Sequence, residues 1–81
     1  MTFTKKAKKD LLSLEKPLAE RILQRLEKAS ENPQNCFEKL EGKAYFKLRV
    51  GNYRVIAVLD FQSKNLEIRR LGHRKNIYEK I

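Results

Sequence analysis

From Tyr45 to Val50 apolar and polar side chains alternate, and after Gly51-Asn52 a second strand-like run extends from Tyr53 to Asp60. Period-two alternation is what a half-buried strand requires, and Gly-Asn between two such runs is a two-residue hairpin turn. The turn sets the register: Val50 faces Tyr53, Arg49 faces Arg54, and Leu48 faces Val55. One face of the ribbon then carries Phe46, Leu48, Val50, Tyr53, Val55, Ala57 and Leu59. The other gathers Tyr45, Lys47, Arg49 and Arg54, with no carboxylate nearby in either strand. Like charges directly opposite one another weaken a sheet. A cationic cluster on so rigid a support therefore implies an anion that occupies it in use.

The apolar face needs a cover, and the preceding chain supplies one. Thr4 is placed to cap a helix from Lys5, in which Ala7, Leu11 and Leu14 recur at helical spacing while Lys5, Lys6, Lys8 and Lys9 turn outward. Pro17 suits the first turn of a second helix, whose stripe is Leu18, Ile22, Leu26 and Ala29 and whose stop is Asn32-Pro33. Residues 34–43 are expected to be a loop, anchored by Phe37 and Leu40. After the hairpin, a loop around Gln62–Lys64 leads to a third strand near Leu66–Leu71. Gly72–Ile81 is a short basic tail with at most one helical turn. The expected fold is α+β, an N-terminal helix hairpin packed on a small, mainly antiparallel three- to four-stranded sheet. Residues 1–81 are expected to form a single domain.

Composition narrows the chemistry. A chain of 81 residues buries a limited core and has no room for a large ligand cavity. No apolar run approaches a membrane span and nothing at the start resembles a signal peptide, so a soluble, cytoplasmic protein without membrane contact is expected. Cys36 is the only cysteine and His73 the only histidine, too few for a zinc site or an internal disulfide. Cys36 is expected to be a small buried apolar residue, and neither a metal nor another cofactor is expected. The net charge of +9 is unevenly placed. Residues 1–42 hold nine Lys/Arg against seven Asp/Glu, a net of +2; residues 43–81 hold ten against three, a net of +7. A basic second half points to a polyanion.

His73, Arg74 and Tyr78 follow the third strand directly and can fold back over the sheet edge. Several cations, an aromatic hydroxyl and few acids do not suit glycoside or peptide hydrolysis. They suit a phosphodiester, where cations stabilise the charge growing on the phosphoryl oxygens. RNA brings its own nucleophile, the 2′-hydroxyl, so the protein need only orient it, accept a proton and protonate the leaving oxygen.

The run Tyr45-Phe46-Lys47-Leu48-Arg49-Val50-Gly51-Asn52-Tyr53-Arg54, then Leu71-Gly72-His73-Arg74 and Tyr78, resembles the core signature of RelE-type toxins in the RelE/ParE superfamily. The resemblance extends through the Lys5-Lys6-Ala7 start, the Asn32-Pro33 stop and Lys39-Leu40, nearly the whole chain. It implies the toxin of a type II toxin–antitoxin system, a ribosome-dependent mRNA endoribonuclease that cuts in the A site and leaves a 2′,3′-cyclic phosphate. It also implies a cognate RelB-like antitoxin, with a heterotetramer plausible for the assembly. Carried over by position, the active residues are Lys47, Arg49, Arg54, Arg74 and Tyr78. Lys47 is the candidate proton acceptor, Arg54 and Arg74 would hold the scissile phosphate, and Tyr78 would stack on a base or orient the 2′-hydroxyl. Arg49 stands where some relatives have lysine, and can stabilise phosphate without serving as a base. His73 is either the acid or base or a structural residue. Relatives usually open with a full strand, whereas only Met1-Thr2-Phe3 precedes the first helix here, so that strand is either vestigial or cut short. Two other readings stand beside it: a ParE-like inhibitor of DNA gyrase, which shares the fold but in which this basic and aromatic set is typically degraded, and a non-catalytic RNA- or ribosome-binding module, which would use the same patch.

Overall fold

The computed structural model describes residues 1–40, 42, 44–60 and 62–77. In chain order the elements are β1 (Thr2–Phe3), α1 (Lys5–Leu12), α2 (Lys16–Ser30), α3 (Pro33–Cys36), β2 (Glu38–Lys39), β3 (Phe46–Val50), β4 (Tyr53–Asp60) and β5 (Asn65–His73). The strands form one sheet in the order β1-β5-β4-β3-β2, antiparallel except where β1 runs parallel to β5. The α+β architecture is the one expected. The sheet gains two strands of two residues each, too short for alternation to reveal.

Local signals account for the helices. The Thr4 side chain accepts the Ala7 amide at 3.1 Å and caps α1. Its own amide bonds to the Ile68 carbonyl, so one residue ends β1 and starts the helix. Met1-Thr2-Phe3 thus retains a strand, which pairs Thr2 with Glu67 and Phe3 with Ile68 and covers part of the β5 edge. Pro17 occupies the first turn of α2, where its missing N–H costs nothing. The stretch expected to be a loop holds α3 and β2, and Phe37 between them is buried. Leu40 is half-buried, and its amide bonds to the Tyr45 carbonyl.

The hairpin register is the expected one: Val50 with Tyr53, Arg49 with Arg54, Leu48 with Val55. Ile22, Leu26 and Ala29 from α2 join Ala7 from α1 over Leu48, Val50, Val55 and Ala57, and the core continues into Leu66, Ile68 and Leu71 of β5. Cys36 carries a free thiol and is only partly buried against this core. A break in register lies at Ile56/Ala57: Ile56 pairs with Arg70 and Ala57 with Ile68, so Arg69 is the extra residue of a bulge. The bulge lets Ile68 and Leu71, an odd number of residues apart, both face the core.

Beyond the bulge, β1 no longer covers the edge of β5. There the Asp10 carboxylate accepts the Leu71 amide at 3.1 Å and two guanidinium bonds from Arg70, at 2.8 and 3.2 Å. One side chain thus occupies an open edge donor and closes a largely buried ion pair. Ile56 and Ile77 are wholly buried outside the main cluster, so the chain returns onto the protein after β5. No described helix is long and apolar enough to cross a membrane.

Candidate functional site

The site is built on the sheet face turned away from the helices. Alternation puts Lys47 and Arg49 of β3 and Arg54 of β4 on that face, with Arg49 and Arg54 directly opposed. Arg49 is exposed, while Lys47 and Arg54 are half-buried. The Arg54 guanidinium bends back along the ribbon, its Nη1 donating to the Gly51 carbonyl at 3.0 Å and the Tyr53 carbonyl at 2.9 Å. These bonds fix its position without neutralising its charge. The Arg74 amide donates to the Asn52 carbonyl at 2.8 Å, which brings the start of the C-terminal segment to the same turn. The Arg74 side chain is exposed there. The Gly51-Asn52 turn thus gathers Arg49, Arg54 and Arg74 at one end of the sheet.

Among the described residues, carboxylates reach this face from the neighbouring strands. Glu38 of β2 places Oε2 3.9 Å from Lys47 Nζ, an ion pair between a side chain of 18% exposure and one of 65%. Glu67 of β5 bonds Arg69 at 2.9 Å. That hydrogen bond raises the Arg69 pKa above the ordinary arginine value, with smaller electrostatic contributions from Glu67 and Tyr45. The bulge presents Arg69 here as a further cation on the open side of the sheet. Its signal was the doublet Arg69-Arg70 between Ile68 and Leu71, a slip in the alternation.

His73 is held differently. It pairs with Tyr53 in register, and the two rings meet edge to face with centroids 5.5 Å apart and planes at 76°. Tyr53 packs against the helix-covered core, so His73 stands on that side and not beside Lys47. Its Nδ1 accepts the Lys75 amide at 3.2 Å, which puts the proton of a neutral ring on Nε2. The imidazole thus braces the turn that carries Arg74. Tyr78 lies outside the described residues.

Among the described residues no group of three or more His, Cys, Asp or Glu stands ready for a metal ion. A hollow of about 440 Å³ lies at the other end of the molecule, lined by Met1, Asn32, Leu59 and Lys64 among others. It holds no cationic cluster. What the turn end can do chemically is bind an anion between guanidinium groups, one of them held by backbone carbonyls, with the Lys47 amine on the same face.

A family model described as the ParE toxin of the type II toxin–antitoxin system parDE matches residues 1–78. Among solved structures, the chain is similar to one in the RelB-RelE antitoxin–toxin complex from Methanococcus jannaschii. That likeness is 27% identity and a TM-score of 0.75, covering 100% of this chain and 99% of that one. Similarity to the archaeal RelE-RelB complex from Pyrococcus horikoshii is 29% identity and a TM-score of 0.74, over 90% and 91% of the two chains. The isolated RelE toxin of E. coli shares the fold at 20% identity and a TM-score of 0.76, over 98% and 89%. Comparison with curated proteins gave no match.

Proposed function

Since the chain belongs to the ParE toxin family of type II toxin–antitoxin systems and has the fold of a RelE toxin, we propose that it is a metal-independent endoribonuclease that cuts mRNA in the ribosomal A site. The observation that carries this reading is the cationic array at the Gly51-Asn52 turn, where Arg49 and Arg54 are opposed on the open face and Arg74 is delivered beside them. Such an array costs stability in the free protein, and a phosphodiester offsets that cost when bound.

In the proposed reaction the 2′-hydroxyl attacks the adjacent phosphorus and the bond to the 5′ oxygen breaks. The products are a 2′,3′-cyclic phosphate and a 5′-hydroxyl. Lys47 is the proposed acceptor of the 2′-hydroxyl proton, and the departing 5′ oxygen takes its proton from solvent water. Arg54, pinned by two backbone carbonyls, and Arg74 stabilise the charge growing on the non-bridging oxygens, and pre-fixed donors lose little entropy in doing so. Arg49 adds charge without serving as a base. His73 acts as a positioning residue for Arg74, and Tyr78 would orient the ribose or stack on a base. A RelB-like antitoxin is the proposed partner, as in the RelB-RelE complexes of the similar structures. A heterotetramer is its proposed assembly.

The match to a model named for ParE favours a second reading, inhibition of DNA gyrase by protein contact. Primer extension on a defined mRNA, translated in vitro with the purified toxin, separates the two. Codon-positioned cuts that require ribosomes, and that Arg74→Ala weakens by about 100-fold or more, are expected. Intact mRNA together with inhibited supercoiling would reverse the assignment.

A further inference from the structure

A second cationic surface lies around the corner from the open face. Arg21, Gln24, Arg25 and Lys28 recur three and four residues apart and form one ridge of α2. With Arg49, Val50 and Gly51 they wall an open groove of about 330 Å³. Strand β2 pairs with Phe46 and Lys47, and no described strand pairs with the outer edge of β3 beside Arg49 and Val50. None of the four cations joins an ion pair among the described residues, whereas Lys47, Arg69 and Arg70 each do. Arg21 and Arg25, four apart on the helix, repel each other. Glu20 and Glu27 flank the ridge on its Gln24 side and form no ion pair with it among the described residues.

The ridge is also fastened to the hairpin. Gly51 adopts φ +59°, and a Cβ built there would lie 3.3 Å from the nearer Arg21 guanidinium nitrogen. A glycine at this position therefore serves two ends: it permits the turn and makes room for a guanidinium packed on it.

We infer that this groove is a second phosphodiester-backbone site, which grips RNA by its phosphates outside the reaction face. The lining selects RNA over an acidic peptide. A peptide that folds on binding needs apolar anchors to offset its ordering, and among the described lining residues Val50 alone is apolar, at 5% exposure. A phosphate backbone needs only placed charge. Arg49 lies on the open face by alternation and also walls the groove, so a strand can pass from one site to the other. The inference shares the ribonucleic ligand of the proposed function but not its chemistry.

The test is fluorescence anisotropy with the full-length toxin and a labelled mixed-sequence 20-nucleotide RNA, 2′-O-methylated so that it cannot be cut, over a range of KCl concentrations. The triple substitution Arg21→Gln, Arg25→Gln, Lys28→Gln is expected to reduce the slope of log K against log salt by about 2, near 0.7 per lost phosphate contact. Arg25→Gln or Lys28→Gln alone should each remove about 0.7, and either serves if the triple variant fails to fold by circular dichroism. An unchanged slope overturns the inference. So does unchanged RNA binding together with weakened binding of poly-L-glutamate, which would assign the groove to a protein. If the wild type cuts no mRNA but the groove variants still lose slope, the proposed reaction fails and the groove stands.

Discussion

The two faces of this sheet come from the same strands, residue by residue in alternation, yet they are held by different forces. On one, Leu48, Val50, Val55 and Ala57 are closed over by Ile22, Leu26 and Ala29, and burial of apolar area supplies the stability. On the other, Arg49 opposes Arg54 across β3 and β4 and the charges repel. The first face stabilises the fold, and the second draws on that stability to hold cations in place. Asp10 and Arg70, at the boundary, show how the protein treats a charge it keeps for itself: it pairs it bidentately in a half-buried position. Arg49 and Arg74 receive no such partner among the described residues, and on that contrast the proposed site rests.

The sharpest way to break the contrast is to damage the covered face. Leu48→Ala should cost about 3 kcal/mol through lost burial and an incompletely filled cavity, near 15 °C in Tm for a chain this size. Thermal unfolding measures it, and cleavage assayed well below the new Tm should persist. A Tm within a few degrees of wild type would mean that the helix-covered face is not what holds the sheet. Next comes Asp10→Ala, which strands the Arg70 charge and leaves the Leu71 amide without its acceptor. Its expected cost is also about 3 kcal/mol. Asp10→Leu with Arg70→Met should recover much of that loss, since an apolar pair needs no partner. Failure to recover would show that the edge amide, not the ion pair, sets the cost.

These predictions rest on features of unequal visibility in the sequence. The hairpin and its two faces were legible because Gly51-Asn52 fixes a register and every neighbouring residue inherits a side from it. The Thr4 cap and the Pro17 start were legible for a similar reason, as each is a local rule of backbone geometry. The strands β1 and β2 were not, since two residues carry no period and their pairing partners lie far along the chain. Glu38 consequently went unnoticed beside Lys47. The bulge hid the most. Without it the side taken by His73 cannot be derived, and sequence proximity to Arg74 suggested a shared face where the register puts His73 with Tyr53. Alternation carries side-chain direction along a strand only until an extra residue resets it.

Smaller effects sharpen the comparison from the open face. Arg49→Thr removes one of two opposed like charges and substitutes a residue that fits a strand. Stability should rise by about 0.5 kcal/mol while cleavage falls, so the two readouts move in opposite directions. Equal losses in both would mean that Arg49 serves the fold and not a ligand.

The smallest effect is expected at the far end of the β4–β5 ribbon, where a charge is satisfied by its own turn. The Asp60 carboxylate accepts the amides of Gln62 at 3.0 Å and Ser63 at 3.4 Å. Hydrogen bonding to Ser63, with a lesser contribution from Gln62, lowers its pKa from the ordinary 3.8. Because the folded-state value is the depressed one, the carboxylate stabilises the fold fully above 3.8, and this stabilisation is lost as the pH falls through 3.8 and then through the lower folded value. Asp60→Asn keeps a carbonyl acceptor but cannot titrate. Its Tm should therefore lie slightly below wild type at pH 7, with the gap narrowing at pH 3. A gap that widens in acid would mean that the carboxylate is better satisfied unfolded than folded, against the sign its two amide donors require. The group is fully exposed, so water competes for the same bonds and the shift should stay small. Arg54 also bonds backbone at a turn, but there the bonds orient a charge that remains unpaired among the described residues, whereas at Asp60 the turn is the whole of what the charge does.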